Sequence, residues 1–197
     1  MRVIAGEYGG RPLKAPKGSG TRPTTDRIKE SLMSSLLSIL GSFEGMHVLD
    51  AFAGSGGLGI ECLSRGAASV AFFDKDRNAI NAVKDNLASL RIGPGQAIVR
   101  MADALGGGAV TATQPFDLVL LDPPYAYSGG DILDFVANLA TRGQLNSDAV
   151  IVYEHDSNAS IDALVGQIDT PPSFGTLEIL KSKRHGVTQI DIMRFSD

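Results

Sequence analysis

The hydrophobic pattern along the chain changes its period near residue 46. Before that point, residues 24–40 place Ile28, Leu32 and Leu36 at helical spacing on one face, followed by Ile39 and Leu40. This spacing predicts an amphipathic helix, which Thr24 or Thr25 can cap and Gly41 can end. The opposite face, expected to be polar and exposed, carries Lys29, Glu30, Ser34 and Ser38. Ahead of the helix, residues 2–5 and 11–15 alternate around EYGG and predict a small hairpin.

From Met46 onward, short apolar runs alternate with helical patterns. Such a series predicts βαβ units and a mainly parallel, doubly wound sheet. The last two strands have too short a connection for a parallel crossover, so we expect them to pair antiparallel. The predicted strands are MHVLDAF, SVAFFD, QAIVRM, FDLVLLD, AVIVYEH and the two in GTLEILKSKRHGVTQIDIMRF. We expect two parts: an N-terminal hairpin and helix at 1–41, and an α/β domain at 42–197.

The composition excludes several classes of protein. The 197 residues contain no apolar run long enough to span a membrane, and the N-terminus does not resemble a signal peptide. The single cysteine, Cys62, suits a reducing compartment, and the three histidines are scattered. We therefore expect a cytoplasmic monomer with no bound metal and no membrane association.

Charge is unevenly distributed along the chain. Residues 1–30 contain seven basic and three acidic side chains, although the whole chain has a net charge of −4. A second basic cluster, KSKRH, spans residues 181–185. Basic segments on an acidic protein are typical of a localised phosphate-binding surface. The candidate RNA contacts are Arg2, Arg11, Lys14, Arg22, Lys181, Lys183 and Arg184.

A glycine-rich loop follows the first strand of the α/β region. GSGGLG at 54–59 fits the G-x-G-x-x-G pattern of nucleotide-binding folds, and Asp74 ends the next strand. Asp50 precedes the loop, where it would repel a pyrophosphate and attract a cationic group, so S-adenosylmethionine is favoured over NAD. Asp74 could accept hydrogen bonds from the ribose hydroxyls, and Asp103 could accept one from the adenine amine.

The fourth strand ends in DPPY, residues 122–125. The two prolines restrict the backbone and remove two N–H donors. Asp122 and the Pro123 carbonyl can then accept both N–H bonds of an exocyclic amine, and Tyr125 can stack on the base. This arrangement would direct the lone pair of the amine nitrogen toward a methyl donor, which predicts methyl transfer to a nucleobase.

These segments together resemble the RsmD-type 16S rRNA guanine-N2 methyltransferases. The resemblance rests on RVIAGEYGGRPL, RPTTDRIKESL, VLDAFAGSGGLGIECLSRGA, FFDKD, DPPY and the closing KRHG. It implies a class I S-adenosylmethionine-dependent methyltransferase, with one guanine of 16S rRNA in the small ribosomal subunit or its late precursor as the acceptor. By position, the implied cofactor contacts are Asp50, Gly54, Gly56, Asp74, Asp103, Thr24 and Arg27. The implied catalytic residues are Asp122, Pro123 and Tyr125.

Two positions depart from the family pattern. Many relatives have Phe-Asn where this chain has Met33-Ser34, and often Tyr-Gly where it has His185-Gly186. DPPY also suits the amine of adenine, so an N6-adenine methyltransferase of DNA or RNA remains an alternative. A cofactor-binding RNA module without catalysis and an NAD oxidoreductase are further alternatives, which Asp122 and Asp50 respectively disfavour.

Overall fold

A computed structural model describes residues 1–16, 25–106, 110, 113–124 and 126–196 of the chain. The chain divides into two compact units, Met1–Ala104 and Leu105–Asp197. The helices are α1 (Asp26–Leu40), α2 (Gly57–Ser64), α3 (Arg77–Leu90), α4 (Gly129–Thr141) and the short α5 (Asp162–Val165). The strands are β1 (His47–Asp50), β2 (Ser69–Asp74), β3 (Ala97–Met101), β4 (Phe116–Leu121), β5 (Leu145–Asp156), β6 (Thr176–His185) and β7 (Thr188–Ser196).

The seven strands form one sheet in the order β3-β2-β1-β4-β5-β7-β6. In the first unit, β2 pairs in parallel with both β1 and β3. In the second unit, β4 and β5 are parallel, whereas β7 pairs antiparallel with both β5 and β6. The predicted fold is confirmed: a mostly parallel α/β sheet with an antiparallel C-terminal pair.

Helix α1 begins and ends as its sequence predicts, but the exposure of one residue on its polar face was predicted wrongly. The Thr25 hydroxyl accepts the Ile28 N–H at 3.3 Å, and Gly41 ends the helix with φ +76°. Lys29 was expected on the exposed polar face, yet only 1% of it is accessible. Its ammonium group lies 3.4 Å from Glu61 Oε2 and donates to the Arg2 carbonyl oxygen. A buried ion pair thus overrides the polar–apolar pattern.

The N-terminal segment packs onto α2 and α3 of the first unit. Arg2 and Pro12 form an antiparallel bridge and the Val3 N–H donates to the Arg11 carbonyl oxygen at 2.9 Å, so the small hairpin is present as predicted. The buried Glu61 carboxylate accepts the N–H groups of Ile4 and Ala5 at 2.8 and 3.1 Å. Asn86 exchanges two hydrogen bonds with the Lys14 backbone. Residues 1–14 are therefore held to the first unit by side chains as well as by packing of Val3 and Leu13.

Both units have apolar cores on the sheet. Val48, Leu49, Ile60, Phe72 and Val83 are essentially inaccessible in the first unit, and Leu118, Leu120, Ile132, Val136 and Ile151 in the second. Among the described residues, no helix combines the length and apolar character needed to cross a membrane.

Candidate active site

The glycine loop between β1 and α2 is shaped by two glycines with different tasks. Gly56 caps α2 in the left-handed region with φ +77°, a conformation that side chains disfavour. Gly59 packs against β2 so closely that an added Cβ would lie 2.4 Å from Phe72 Cε1 and 2.8 Å from Val70 Cγ1. Glycines thus permit both the turn that enters α2 and the close packing of the first turn of α2 against β2.

Asp74 joins the end of β2 to this loop. Its Oδ2 accepts the Gly54 N–H at 2.8 Å, and its Oδ1 accepts the Asp76 N–H at 2.8 Å. Each carboxylate oxygen retains a further lone pair and the side chain is partly exposed, so it can still accept from hydroxyl groups. Asp74 is therefore hydrogen-bonded to the glycine loop. Its ribose contact stays a prediction.

Asp50 lies at the opposite end of the same loop. Only 3% of it is accessible, and its Oδ2 accepts the Gly59 N–H at 3.1 Å in the first turn of α2. A negative charge here is stabilised by the helix N-terminus and places anionic character beside the loop. Asp50 therefore provides a carboxylate beside the loop, and its contact with a cationic part of the ligand stays a prediction.

The other predicted cofactor residues are less closely connected to the loop. Asp103 is exposed, one residue beyond Ala102, whose N–H donates to the Asp74 carbonyl oxygen at 3.0 Å. Arg27 is exposed in the first turn of α1. Thr24 lies outside the described residues, so its role stays a prediction.

The proline turn that follows β4, predicted to bind the acceptor amine, belongs to the second unit. Asp122 directly follows β4, Pro123 is buried, and the Tyr127 N–H donates to the Pro124 carbonyl oxygen at 3.2 Å to close a turn. Ser128 then caps α4 in a capping box with Asp131. The turn is therefore held between a buried strand and a capped helix. Tyr125 lies outside the described residues.

Asp122 is in a poorly hydrated position. Burial raises the pKa of its carboxyl group to about 6, because removal from water disfavours the charged form. At neutral pH the group is mostly ionised, so it presents a negative charge that little water screens. Such a carboxylate is a strong hydrogen-bond acceptor for an amine.

A second acid near this turn was missed by the sequence argument. Glu154 in β5 is partly buried, and the pKa of its carboxyl group is raised to about 8 by burial and by the charge of Asp122. The only signal in the sequence is an acid at the end of the apolar run AVIVYEH.

The predicted RNA contacts lie in both units, and most are exposed. Arg2 pairs with Asp26 at 3.2 Å, Lys14 pairs with Asp85 at 3.2 Å, and the Arg11 guanidinium donates to the Ser89 carbonyl oxygen at 3.0 Å. Arg22 lies outside the described residues. Lys181, Lys183 and Arg184 lie on β6, the edge strand of the sheet.

Comparisons with known proteins agree with this geometry. The model of a family described as Conserved hypothetical protein 95 matches residues 1–194. Ribosomal RNA small subunit methyltransferase D of Haemophilus influenzae is 36% identical over 159 residues, covering 80% of each chain. The structure of the candidate methyltransferase yhhF of Escherichia coli aligns with a TM-score of 0.78 at 30% identity, over 100% of this chain and 98% of that one.

A more distant structure shares the fold alone. The Thermus thermophilus 16S rRNA N2 G1207 methyltransferase RsmC, solved in complex with AdoMet and guanosine, aligns at 20% identity with a TM-score of 0.65. The alignment covers 92% of this chain and 45% of that protein.

Proposed function

Because this chain belongs to the family described as Conserved hypothetical protein 95, the RsmD-type methyltransferases, we propose that it methylates the N2 amine of a guanine in small-subunit rRNA. The coarser activity, methyl transfer to rRNA with S-adenosylmethionine as the donor, follows from relatives named ribosomal RNA small subunit methyltransferase D. The observation that carries the proposal is the partly buried, poorly hydrated carboxylate of Asp122 on the proline turn that follows β4.

The glycine loop fits the methyl donor. S-adenosylmethionine supplies an activated methyl group on a cationic sulfur, and it also carries an ammonium group and a ribose. Asp50 provides negative charge next to the loop, and Asp74 provides carboxylate oxygens at its other end. Gly54 and Gly56 have no side chains, so a ligand can approach the backbone closely at these two positions.

Asp122 and Pro123 act on the acceptor amine. The carboxylate and the Pro123 carbonyl oxygen accept the two N–H bonds, which turns the nitrogen lone pair out of conjugation with the ring. The N–CH₃ bond then forms as the S–CH₃ bond breaks, and the nitrogen gains positive charge that the Asp122 carboxylate stabilises. The nitrogen subsequently loses a proton, which the ionised Asp122 carboxylate accepts in this proposal. Tyr125 stacks on the base in this proposal.

The basic side chains extend the proposal to the whole substrate. Residues 1–41, with Arg2, Arg11 and Lys14, and the β6 residues Lys181, Lys183 and Arg184 form the RNA-facing surfaces, and the partner is the small ribosomal subunit in the cytoplasm. Surface ion pairs such as Lys14–Asp85 contribute only about 0–1 kcal/mol, so phosphate groups can replace the acidic partner at little cost.

The test is mass spectrometry of nucleosides from 16S rRNA of cells that lack the gene. We expect the amount of N2-methylguanosine to fall by one residue per rRNA, and to be restored by the wild-type gene but not by an Asp122→Ala variant. An unchanged N2-methylguanosine content together with lost N6-methyladenosine would instead establish the adenine alternative.

A further inference from the structure

Glu154 lies beside Asp122 on the same face of the sheet. Strands β4 and β5 are parallel, and Leu121 pairs in register with Tyr153. Glu154 is the next residue of β5, and Asp122 directly follows the end of β4 at Leu121, close enough for its charge to act on the Glu154 carboxyl group. Neighbouring strands lie about 4.8 Å apart, and residues in register project to the same face. The two carboxyl groups consequently stand next to each other where β4 ends.

Glu154 lines a pocket beside the proline turn, and one of its carboxyl oxygens is buried. Its Oε2 is buried and has no hydrogen-bond partner among the residues that the structure describes. The pocket measures about 280 Å³, near the lower end of the range for small-molecule sites. Its lining includes Pro123 and Pro124 of the amine-binding turn, with Ile161 and Leu164 as apolar walls.

The charge state of the pair follows from its surroundings. Two neighbouring carboxyl groups in a poorly hydrated site do not both ionise readily. The pKa of Asp122 is raised to about 6 by burial, and that of Glu154 to about 8 by burial and by the Asp122 charge. Near neutral pH the pair therefore favours a single negative charge, and Asp122 is the more readily ionised of the two. Glu154 remains neutral, with one O–H donor and one C=O acceptor.

Few other titratable groups bear on Glu154. Asp122 is the charged group that acts on its pKa. From β7, the residue opposite Glu154 is the apolar Ile190. The pocket also contains Tyr127, His155 and Asp156. His155 is engaged with Asp191 through Nε2 at 2.8 Å and with the Asp156 carbonyl oxygen through Nδ1.

We propose that Glu154 is the base-selecting residue of the acceptor pocket: its carboxyl group pairs with N1–H and O6 of guanine while Asp122 and the Pro123 carbonyl hold the N2 amine. This inference rests on the proposed function. In guanine the amine is followed along the same edge by a donor, N1–H, and an acceptor, O6. A neutral carboxyl group complements both, because its C=O accepts from N1–H and its O–H donates to O6. Adenine presents one acceptor, N1, followed by a C–H group, so one of the two bonds cannot form.

Glutamine and alanine substitutions separate this role from its alternatives. A Gln side chain keeps the shape of the neutral acid, with one C=O acceptor and an NH₂ donor, but cannot ionise. Ala removes both groups. The assay is the single-turnover rate of methyl transfer to small subunits from cells lacking the gene, at subsaturating enzyme. Glu178, an exposed acid on β6, provides a matched control as Glu178→Gln. S-adenosylmethionine affinity and thermal stability are measured for every variant.

The expected results are specific to a neutral pairing group. At pH 7, Glu154→Ala should lose at least about 10-fold in rate, consistent with the removal of two hydrogen bonds of about 1 kcal/mol or more in a buried site. Glu154→Gln should stay within about 3-fold of wild type. Between pH 7 and pH 9 the ratio of the wild-type rate to the Glu154→Gln rate should fall, because ionised Glu154 loses its donor and repels O6. Glu178→Gln should match wild type throughout.

Two results would overturn the inference. One is a folded Glu154→Ala protein that methylates at the wild-type rate. The other is a Glu154→Gln protein as inactive as Glu154→Ala, which would mean that the ionisable proton itself is required. Failure of the proposed function has a different signature, because wild-type enzyme would then produce a methylated nucleoside other than N2-methylguanosine whatever the variants do.

Discussion

The buried charge of Glu61 offers a sharp test of what holds the first unit together. Glu61 is fully inaccessible. Its carboxylate forms ion pairs with Arg65 at 2.8 Å and with Lys29 at 3.4 Å, and it accepts hydrogen bonds from the N–H groups of Ile4 and Ala5. Lys29 is itself 1% accessible. The substitution Glu61→Gln keeps the volume of the side chain but removes its charge and replaces one acceptor oxygen by an NH₂ donor, which then faces the N–H group of Ile4 or Ala5.

We expect Glu61→Gln to cost about 3–5 kcal/mol of the free energy of unfolding. That is the usual penalty for removing one partner of a buried ion pair, because the remaining charge stays buried without compensation. Domains are typically stable by only about 5–15 kcal/mol, so the loss is a large fraction of the total. The double variant Glu61→Gln/Lys29→Met should be more stable than Glu61→Gln alone, since it removes the uncompensated charge.

The effect should also depend on pH. Burial lowers the pKa of Lys29, and the Glu61 carboxylate opposes that change. Without Glu61 the folded-state pKa should fall further below its unfolded value, so the folded protein releases the proton first. The stability of Glu61→Gln relative to wild type should therefore rise between pH 7 and pH 10.

Urea denaturation followed by circular dichroism measures these differences, with Asp85→Asn as the control. Asp85 forms an exposed pair with Lys14, whose side chains are 60% and 70% accessible, and its loss should cost at most about 1 kcal/mol. A cost below about 1 kcal/mol for Glu61→Gln would refute the reasoning. So would a double variant less stable than Glu61→Gln.

Four further predictions concern the site and its surfaces. Asp74→Ala should weaken S-adenosylmethionine binding by roughly 1–3 kcal/mol in calorimetry, because ribose hydroxyls and the Gly54 N–H lose their acceptor; unchanged affinity would remove Asp74 from the site. Asp122→Ala should lower the single-turnover rate on the order of 10²-fold with little change in cofactor affinity, and Asp122→Asn should be intermediate; a wild-type rate would make the turn purely structural. Glu154→Gln should be more stable than wild type at pH 9 by at least about 1 kcal/mol, or about 2–4 °C in melting temperature. The gain should vanish toward pH 4, because the pKa of Glu154 is raised to about 8 in the folded protein and its ionisation therefore opposes folding as the pH rises. An equal gain at both pH values would contradict this. Lys183→Gln with Arg184→Gln should weaken binding to small subunits and flatten its dependence on salt, with a slope change of about one for each phosphate group that the variant no longer binds; an unchanged slope would place these residues outside the interface.

Local signals in the sequence were sufficient for most of the fold. Alternating apolar and helical patterns located the strands, and the short connection at Gly186 predicted the antiparallel pair β6–β7. Helix α1 was delimited by Thr25 and Gly41 because capping depends on neighbouring backbone groups. The glycine loop was also predictable, because a turn requires Gly56 and close packing against a neighbouring strand requires Gly59.

Long-range pairing accounts for what the sequence did not reveal. The periodicity of α1 assigned Lys29 to solvent, because its partner Glu61 is 32 positions away and no local pattern links an ammonium group on one helix to a carboxylate on another. Glu154 was overlooked for a related reason. An acid at the end of an apolar strand is ordinary until the β4–β5 register brings it beside Asp122, and only that register makes the two carboxyl groups share a charge. The motif DPPY therefore predicts an amine-binding turn without specifying the base, whereas the neighbouring strand carries the group we propose to distinguish guanine from adenine.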